Sequence, residues 1–274
     1  MTVTSSNSGS DRNVPPILAH KHFNAPSAFT PESLLREARR QKDADIDSVP
    51  QICLLDPDGD ILRQLKAEGR AVMHESWVCY HTDLYVFEED GITIGVVGCA
   101  VGAAFAVLIA EELFASGCKL LISVTSAGQI APAQPPPYFV LIDRALRDEG
   151  TSYHYCPPAL FSEAPEILLS RLAGAFDDLS ISMQRGATWT TDAPFRETAD
   201  AVAAMRERGL LAVEMEAAAL YAFATARNKA VICFAYVTNQ MGQIEGDFEK
   251  GEANGSSDAL MIIRHTANRL MGEG

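Results

Sequence analysis

The chain has 274 residues, 47% of them hydrophobic, with 22 basic and 36 acidic side chains and a formal net charge of -14. That length and apolar content suffice for one α/β domain with a large core. The charge argues against nucleic acid as a partner, because phosphate contacts require clustered Lys and Arg. No apolar run approaches the ~18 residues of a membrane span, and the polar start lacks the charged-then-apolar layout of a signal peptide. Six cysteines, at 53, 79, 99, 118, 156 and 233, lie mostly inside apolar runs without paired metal-ligand spacing. They read as buried free thiols in a reducing cytoplasm.

Residues 1–15, rich in Ser, Asn, Gly and Asp, are expected to form a mobile tail, leaving 16–274 as the folded unit. Thr30-Pro31-Glu32 opens a helix to about Gln41, with Thr30 as N-cap, Pro31 in the first turn and Leu34, Leu35 and Ala38 facing inward. The charged stretch from Lys42 to Val49 reads as a solvated connection. Strands are then predicted near 52–55, 92–99, 119–125, 138–143, 181–188, 210–215 and 231–238, and helices near 60–68, 102–116, 199–208, 216–227 and 257–271. Strands interleaved with helices imply a largely parallel or mixed sheet covered on both faces, with ligands at the carboxyl ends of the strands.

The segment Val213-Glu214-Met215-Glu216-Ala217-Ala218-Ala219 places two carboxylates where a strand turns into a helix. Acid in a first helical turn complements the helix dipole. A buried carboxylate also demands a polar partner, so the same pattern fits a binding site.

This segment resembles the signature of the nucleoside phosphorylase family, which includes uridine phosphorylase, purine nucleoside phosphorylase and related nucleosidases. Gly95 to Gly102 with the helix to Leu113, Ser123-Val124-Thr125-Ser126-Ala127-Gly128, Asp143 to Tyr155 and Gly186 to Asp192 follow in the family's order, so the resemblance covers about residues 50 to 270. It implies a three-layer α/β/α fold with a mixed central sheet, a small nucleoside as ligand, N-glycosidic bond cleavage, no metal or organic cofactor, and a homo-oligomer of dimers or higher.

By the same resemblance, Glu216 accepts a ribose hydroxyl, Met215 packs on the sugar, and Ser126 lies beside it. Glu214 is expected to face a structural partner. One of His20 and His22, with His22 preferred, caps the ribose 5′ hydroxyl of a neighbouring subunit, or is simply a solvated surface histidine. His154 is expected on a strand with a structural hydrogen bond. Asn239 stands where the purine branch has a protonating Asp; an amide donates a hydrogen bond but supplies no proton, which favours a pyrimidine. Thr190, Arg196 and Gln240 are candidate base readers, and Trp189 either stacks on the base or belongs to the core.

The phosphate pocket departs from the family pattern. Leu55-Asp56-Pro57-Asp58-Gly59 lacks the leading Gly and the Arg of the phosphate loop, Ser123 replaces a second arginine, and Thr82 after His81 replaces a third. Asp56, Gly59, Ser123, Thr125 and Ser126 thus outline a remnant with neutral donors, whereas a phosphate dianion needs charge-assisted or helix-terminal ones. Water is therefore the favoured acceptor, with Asp56, Asp58 and Glu75 as candidate bases. Phosphorolysis using Arg63 and the turn at Ser126, and a nucleoside-binding protein without turnover, remain the alternatives.

Overall fold

The computed structural model describes residues 14–45, 47–132, 134–241, 247–248 and 250–272. The expected tail lies outside these residues apart from Val14 and Pro15. α1 (Pro31–Lys42) starts as expected: the Thr30 hydroxyl accepts the Ser33 N–H, and Leu35 and Ala38 are buried. From there the chain runs β1 (Ile52–Asp56), α2 (Asp60–Ala67), β2 (Val72–Met73), β3 (Tyr85–Glu89), β4 (Ile92–Gly98), α3 (Ala103–Ala115), β5 (Leu120–Gln129) and β6 (Tyr138–Asp148). It continues through α4 (Ser152–Tyr155), β7 (Phe161–Glu163), α5 (Glu166–Leu172), β8 (Met183–Thr191), α6 (Ala199–Glu207), β9 (Ala212–Glu214), α7 (Ala217–Arg227), β10 (Ala230–Asn239) and α8 (Ser256–Met271).

All ten strands belong to one mixed sheet in the order β10-β6-β8-β9-β5-β1-β4-β3-β2, with β7 beside β6. β5 also pairs with β10 along nearly its whole length, so β5, β9, β8, β6 and β10 close into a ring. α1, α3, α4 and α7 pack together, and α2, α5 and α8 form a second group. The result is the expected α/β/α layering around a mixed sheet.

β1 is buried throughout, as a strand covered on both faces must be. α7 is buried from Ala217 to Phe223 and on through Ala224. Its small residues let the backbone approach the sheet, and Tyr221 fixes the approach: its hydroxyl donates to the Ile142 carbonyl at 2.6 Å and accepts the Cys233 N–H at 3.0 Å. α7 is therefore held rigidly with its first turn aimed at the carboxyl ends of β5 and β9.

Several expectations are corrected. The short β2, β3, β7, α4 and α5 were not anticipated. His154 lies on α4 rather than on a strand, because Thr151 and Ser152 turn the chain into a single helical turn; its Nδ1 lies 2.8 Å from Lys21 Nζ. Four of the six thiols are buried, but Cys99 is exposed and Cys156 half-buried. No helix among the described residues is long and apolar enough to cross a membrane.

Candidate active site

Five carboxylates converge where the β1–α2 loop, the end of β5 and the start of α7 meet. Glu214 is fully buried and accepts four hydrogen bonds: from the hydroxyls of Thr188 (3.0 Å) and Thr190 (2.5 Å) at Oε1, and from the N–H groups of Glu216 and Ala217 (2.8 Å each) at Oε2. Burial nevertheless pushes its pKa up against these bonds. Its carboxylate orients the first turn of α7.

Glu216 caps that turn. Its Oε1 accepts the Gly102 N–H at 2.6 Å, while Oε2 is buried with no hydrogen-bond partner among the described residues. Burial first, and then the nearby charge of Glu214, push its pKa up to about 8, opposed by the Gly102 N–H and the Thr125 hydroxyl. Met215, half-buried, lies between the two acids. An unpartnered buried carboxylate oxygen beside a half-buried thioether can accept a sugar hydroxyl and pack an apolar sugar face.

Ser126 faces the β1–α2 loop. Its N–H donates to Asp58 Oδ2 at 2.6 Å and its hydroxyl to Asp58 Oδ1 at 2.7 Å. Asp58 thus takes up both donors of Ser126. Lys250 Nζ approaches Asp58 Oδ1 at 3.9 Å and bonds Asp60 Oδ2 at 2.5 Å. Arg63 donates to the Asp58 carbonyl at 2.8 Å and to Asp60 Oδ1 at 2.5 Å. Burial pushes Asp60 up, but its bonds to Lys250 and Arg63 outweigh this and leave its pKa lowered.

The other expected pocket residues divide. Asp56 accepts the N–H groups of Gly59 (3.1 Å) and Leu62 (2.9 Å), so it shapes the loop and the start of α2 instead of facing the acceptor; burial pushes its pKa up to about 7. Gly59 has φ of 76°, and a Cβ there would come within 2.6 Å of Cys99 Sγ. Ser123 is buried in the sheet between Leu55 and Cys233. Thr125 is buried, its hydroxyl donating to the Ser126 carbonyl at 3.4 Å. Glu75 is not brought here: it lines a cleft of about 570 Å³ with Arg70, Val72, Met73 and Phe87 beside the outer strands.

On the base side, Asn239 ends β10, its amide donating to the Thr238 hydroxyl (3.1 Å) and accepting the Met241 N–H (2.8 Å). Gln240 is exposed, and its N–H is held by Asp247 at 2.8 Å. Trp189 packs in a small core with Ile130, Leu146, Val202 and Leu210, and its indole N–H donates to Asp148 at 2.9 Å; the core reading fits it, and stacking does not. Thr190 is fully buried, its hydroxyl used by Glu214 and by the Ala218 N–H (2.9 Å), so it holds the acid pair rather than a base. Arg196 is exposed on a short 3₁₀ turn, Pro194–Arg196, next to a fully exposed Phe195. His22 lines a cleft with His20, His154, Tyr155 and Arg227 at the far end of α7. Eleven residues of helix at ~1.5 Å rise separate that end from Glu216 by about 16 Å. Any contact of His22 with a sugar must therefore be with that of another copy.

Lys250 and Asp60 were missed. Nothing in Phe248-Glu249-Lys250-Gly251 distinguishes this lysine from a solvated loop charge; it meets Asp60 across 190 residues of chain. Among the described residues, no three His, Cys, Asp or Glu side chains are grouped to hold a metal ion.

Comparison with known proteins places this geometry. The profile of the phosphorylase superfamily matches residues 51–267. A guanosine phosphorylase from Halorubrum lacusprofundi is 27% identical over 168 residues, covering 61% of this chain and 66% of its own length, just under two thirds. A uridine phosphorylase from Thermococcus kodakarensis is 27% identical over 214 residues, covering 72% of this chain and 75% of its own. The crystal structure of uridine phosphorylase from Vibrio fischeri superposes with a TM-score of 0.69 at 22% identity, over 81% of this chain and 94% of that one, which is a likeness of fold. With the profile spanning most of its length, this chain belongs to the phosphorylase superfamily.

Proposed function

We propose that this phosphorylase-superfamily enzyme cleaves the N-glycosidic bond of a nucleoside and delivers the sugar to water. The observation that carries the choice of acceptor is the Asp58 carboxylate on the N–H and hydroxyl of Ser126. A second anion on the same donors would meet like charge at contact distance, which disfavours orthophosphate. The same carboxylate is within the pocket as a base.

The C1′–N bond breaks with its electron pair passing to the base, and positive charge develops on the sugar. In its ionised form, a minority at neutral pH because its pKa is about 8, Glu216 bonded to a ribose hydroxyl stabilises that charge more than the neutral ground state. A water oxygen forms the new bond to C1′. Its proton passes to Asp58 and then through solvent to the departed base, so protons balance over the cycle. At the end of β10, Asn239 offers hydrogen bonds and no proton, which favours a pyrimidine over a purine. Arg196 and Gln240 are proposed to read its carbonyls.

The relatives' names favour phosphorolysis instead, of guanosine or of uridine, with Arg63 and Lys250 as the cations at the pocket. The test is to incubate the protein with uridine and guanosine, with and without phosphate, and to identify the sugar by mass spectrometry. Free ribose formed at equal rates in both supports hydrolysis; ribose 1-phosphate formed only with phosphate sinks it.

The homo-oligomer is likewise proposed. Tyr80, Val101 and Leu108 are exposed near the contact of His81 with Phe105, and light scattering in solution decides it: a monomer at working concentration rejects the idea.

A further inference from the structure

We infer that Lys250 is a positioning residue of the acceptor pocket: its ammonium, tethered to Asp60, sets the place of the Asp58 carboxylate on Ser126, from which it takes a proton from water. The inference rests on the hydrolytic reading above.

The backbone around Lys250 is fixed before its side chain acts. Tyr236, near the end of β10, donates its hydroxyl to the Lys250 carbonyl at 2.7 Å and stacks on Phe139 at 4.4 Å between ring centroids. Five residues on, Gly255 lies flat on the same tyrosine. Its φ is 74°, and a Cβ there would come within 2.2 Å of the ring, so only glycine permits this approach. The Tyr236 ring thus supports both ends of the stretch that carries Lys250.

From that support the ammonium reaches Asp60 and stops 3.9 Å from Asp58 Oδ1. The groups facing Asp58 are otherwise mostly acidic: Asp56 and Asp60 from the β1–α2 segment, and Glu216 from the start of α7. Arg63 is the other nearby cation, but it meets only the Asp58 backbone carbonyl and its side chain is 59% exposed, against 22% for Lys250. Charge in a drier position is less screened. Lys250 is therefore the drier of the two cations beside the Asp58 carboxylate. The 3.9 Å gap matters too: an ammonium bonded directly to Asp58 would compete with water for the same oxygen, whereas one bonded to Asp60 leaves that oxygen able to accept a proton.

The experiment compares wild type, Lys250→Met and Lys250→Arg on uridine and guanosine across pH 5 to 9, each with and without phosphate. Lys250→Met is expected to lower kcat about 10- to 100-fold, within the range general-base catalysis supplies, with KM for the nucleoside changed less than about threefold. Lys250→Arg, which keeps a cation on the Asp60 tether, is expected to restore most of the lost kcat. Asp60→Asn, which loosens the tether and keeps the ammonium, is expected to lower kcat by less than Lys250→Met, again with KM little changed, and stands in if Lys250→Met does not fold. An unchanged kcat, a loss that Lys250→Arg does not restore, or a loss confined to KM or to thermal stability overturns the inference. A phosphate requirement in wild type rejects the hydrolytic reading on its own. A raised KM for phosphate in Lys250→Met would overturn the positioning role by making Lys250 an acceptor ligand.

Discussion

Glu214 accepts the backbone N–H groups of both Glu216 and Ala217 at 2.8 Å, so one acid of the pair is spent on aiming the other. Glu214→Ala removes four accepted hydrogen bonds and leaves two buried amides without partners. With ~1–3 kcal/mol for each buried group left unsatisfied, a loss of about 3–5 kcal/mol is expected in denaturant titration, with a fall in kcat of at least about tenfold. Glu214→Gln, which keeps one acceptor oxygen, is expected to lose less of both. Equal effects would mean that Glu214 does not orient α7.

Glu216→Gln separates stability from activity. Burial raises the Glu216 pKa from 4.5 to about 8, and a carboxyl raised on folding contributes stability below its unfolded pKa and loses it as pH climbs through the folded one. The wild type is thus penalised progressively from about pH 4.5 to 8, and the amide is not. The variant should melt higher than wild type above pH 8, by the equivalent of a few kcal/mol at most, while turnover falls at least about 100-fold. Melting curves that shift equally at pH 4 and pH 9 would remove the burial argument.

Asp58→Ala is expected to lower turnover by about 10²–10⁴, the contribution of a positioned base. It also frees the Ser126 N–H and hydroxyl, so added formate should bind there and restore part of the rate. Rescue by formate at neutral pH, absent in wild type, is the readout; no rescue at any concentration would place the base elsewhere.

Gly59→Ala meets two obstacles at once. The residue sits at φ 76°, and a methyl there would fall 2.6 Å from Cys99 Sγ. A destabilisation of about 1–3 kcal/mol is expected. Combining it with Cys99→Gly removes the clash but not the backbone strain, so the double variant should be less destabilised than the sum of the singles. Thermal melts of the four proteins check this; strict additivity would mean that the loop moves aside. An arginine at position 59 is excluded by the same geometry.

The elements that could be read in advance are those whose burial follows a period or a run. α1 carries its cap and its inward Leu35 and Ala38; β1, β5 and β10 open on apolar runs; α7 announces itself by alanine. β2, β3 and β7 could not be read this way. Two are two or three residues long, and β3 ends in two acids, Glu88 and Glu89, of which Glu89 is held by Arg70, 19 residues earlier. The pair of buried acids at the start of α7 was legible because Glu214, Met215 and Glu216 are contiguous. Trp189 stayed open between core and base, and Thr190 was expected on a base, because β8 is buried on both faces from Ala187 onward, so alternation gives no outward side. The direction of Asp58 was hidden for another reason: its partner is 68 residues away, and an aspartate after proline reads equally as an ordinary turn residue.

The closure of β5 through β10 onto each other leaves few places where a foreign strand can add. In the described sheet the outermost strands are β2 and β7, two and three residues long. Short edges offer an incoming chain only one or two hydrogen bonds before the ladder ends. A protein this rich in buried β structure is thereby insulated from templated aggregation. The exception is the exposed Val72 and Met73 on β2, where a lysine substitution should suppress whatever fibril growth heating provokes.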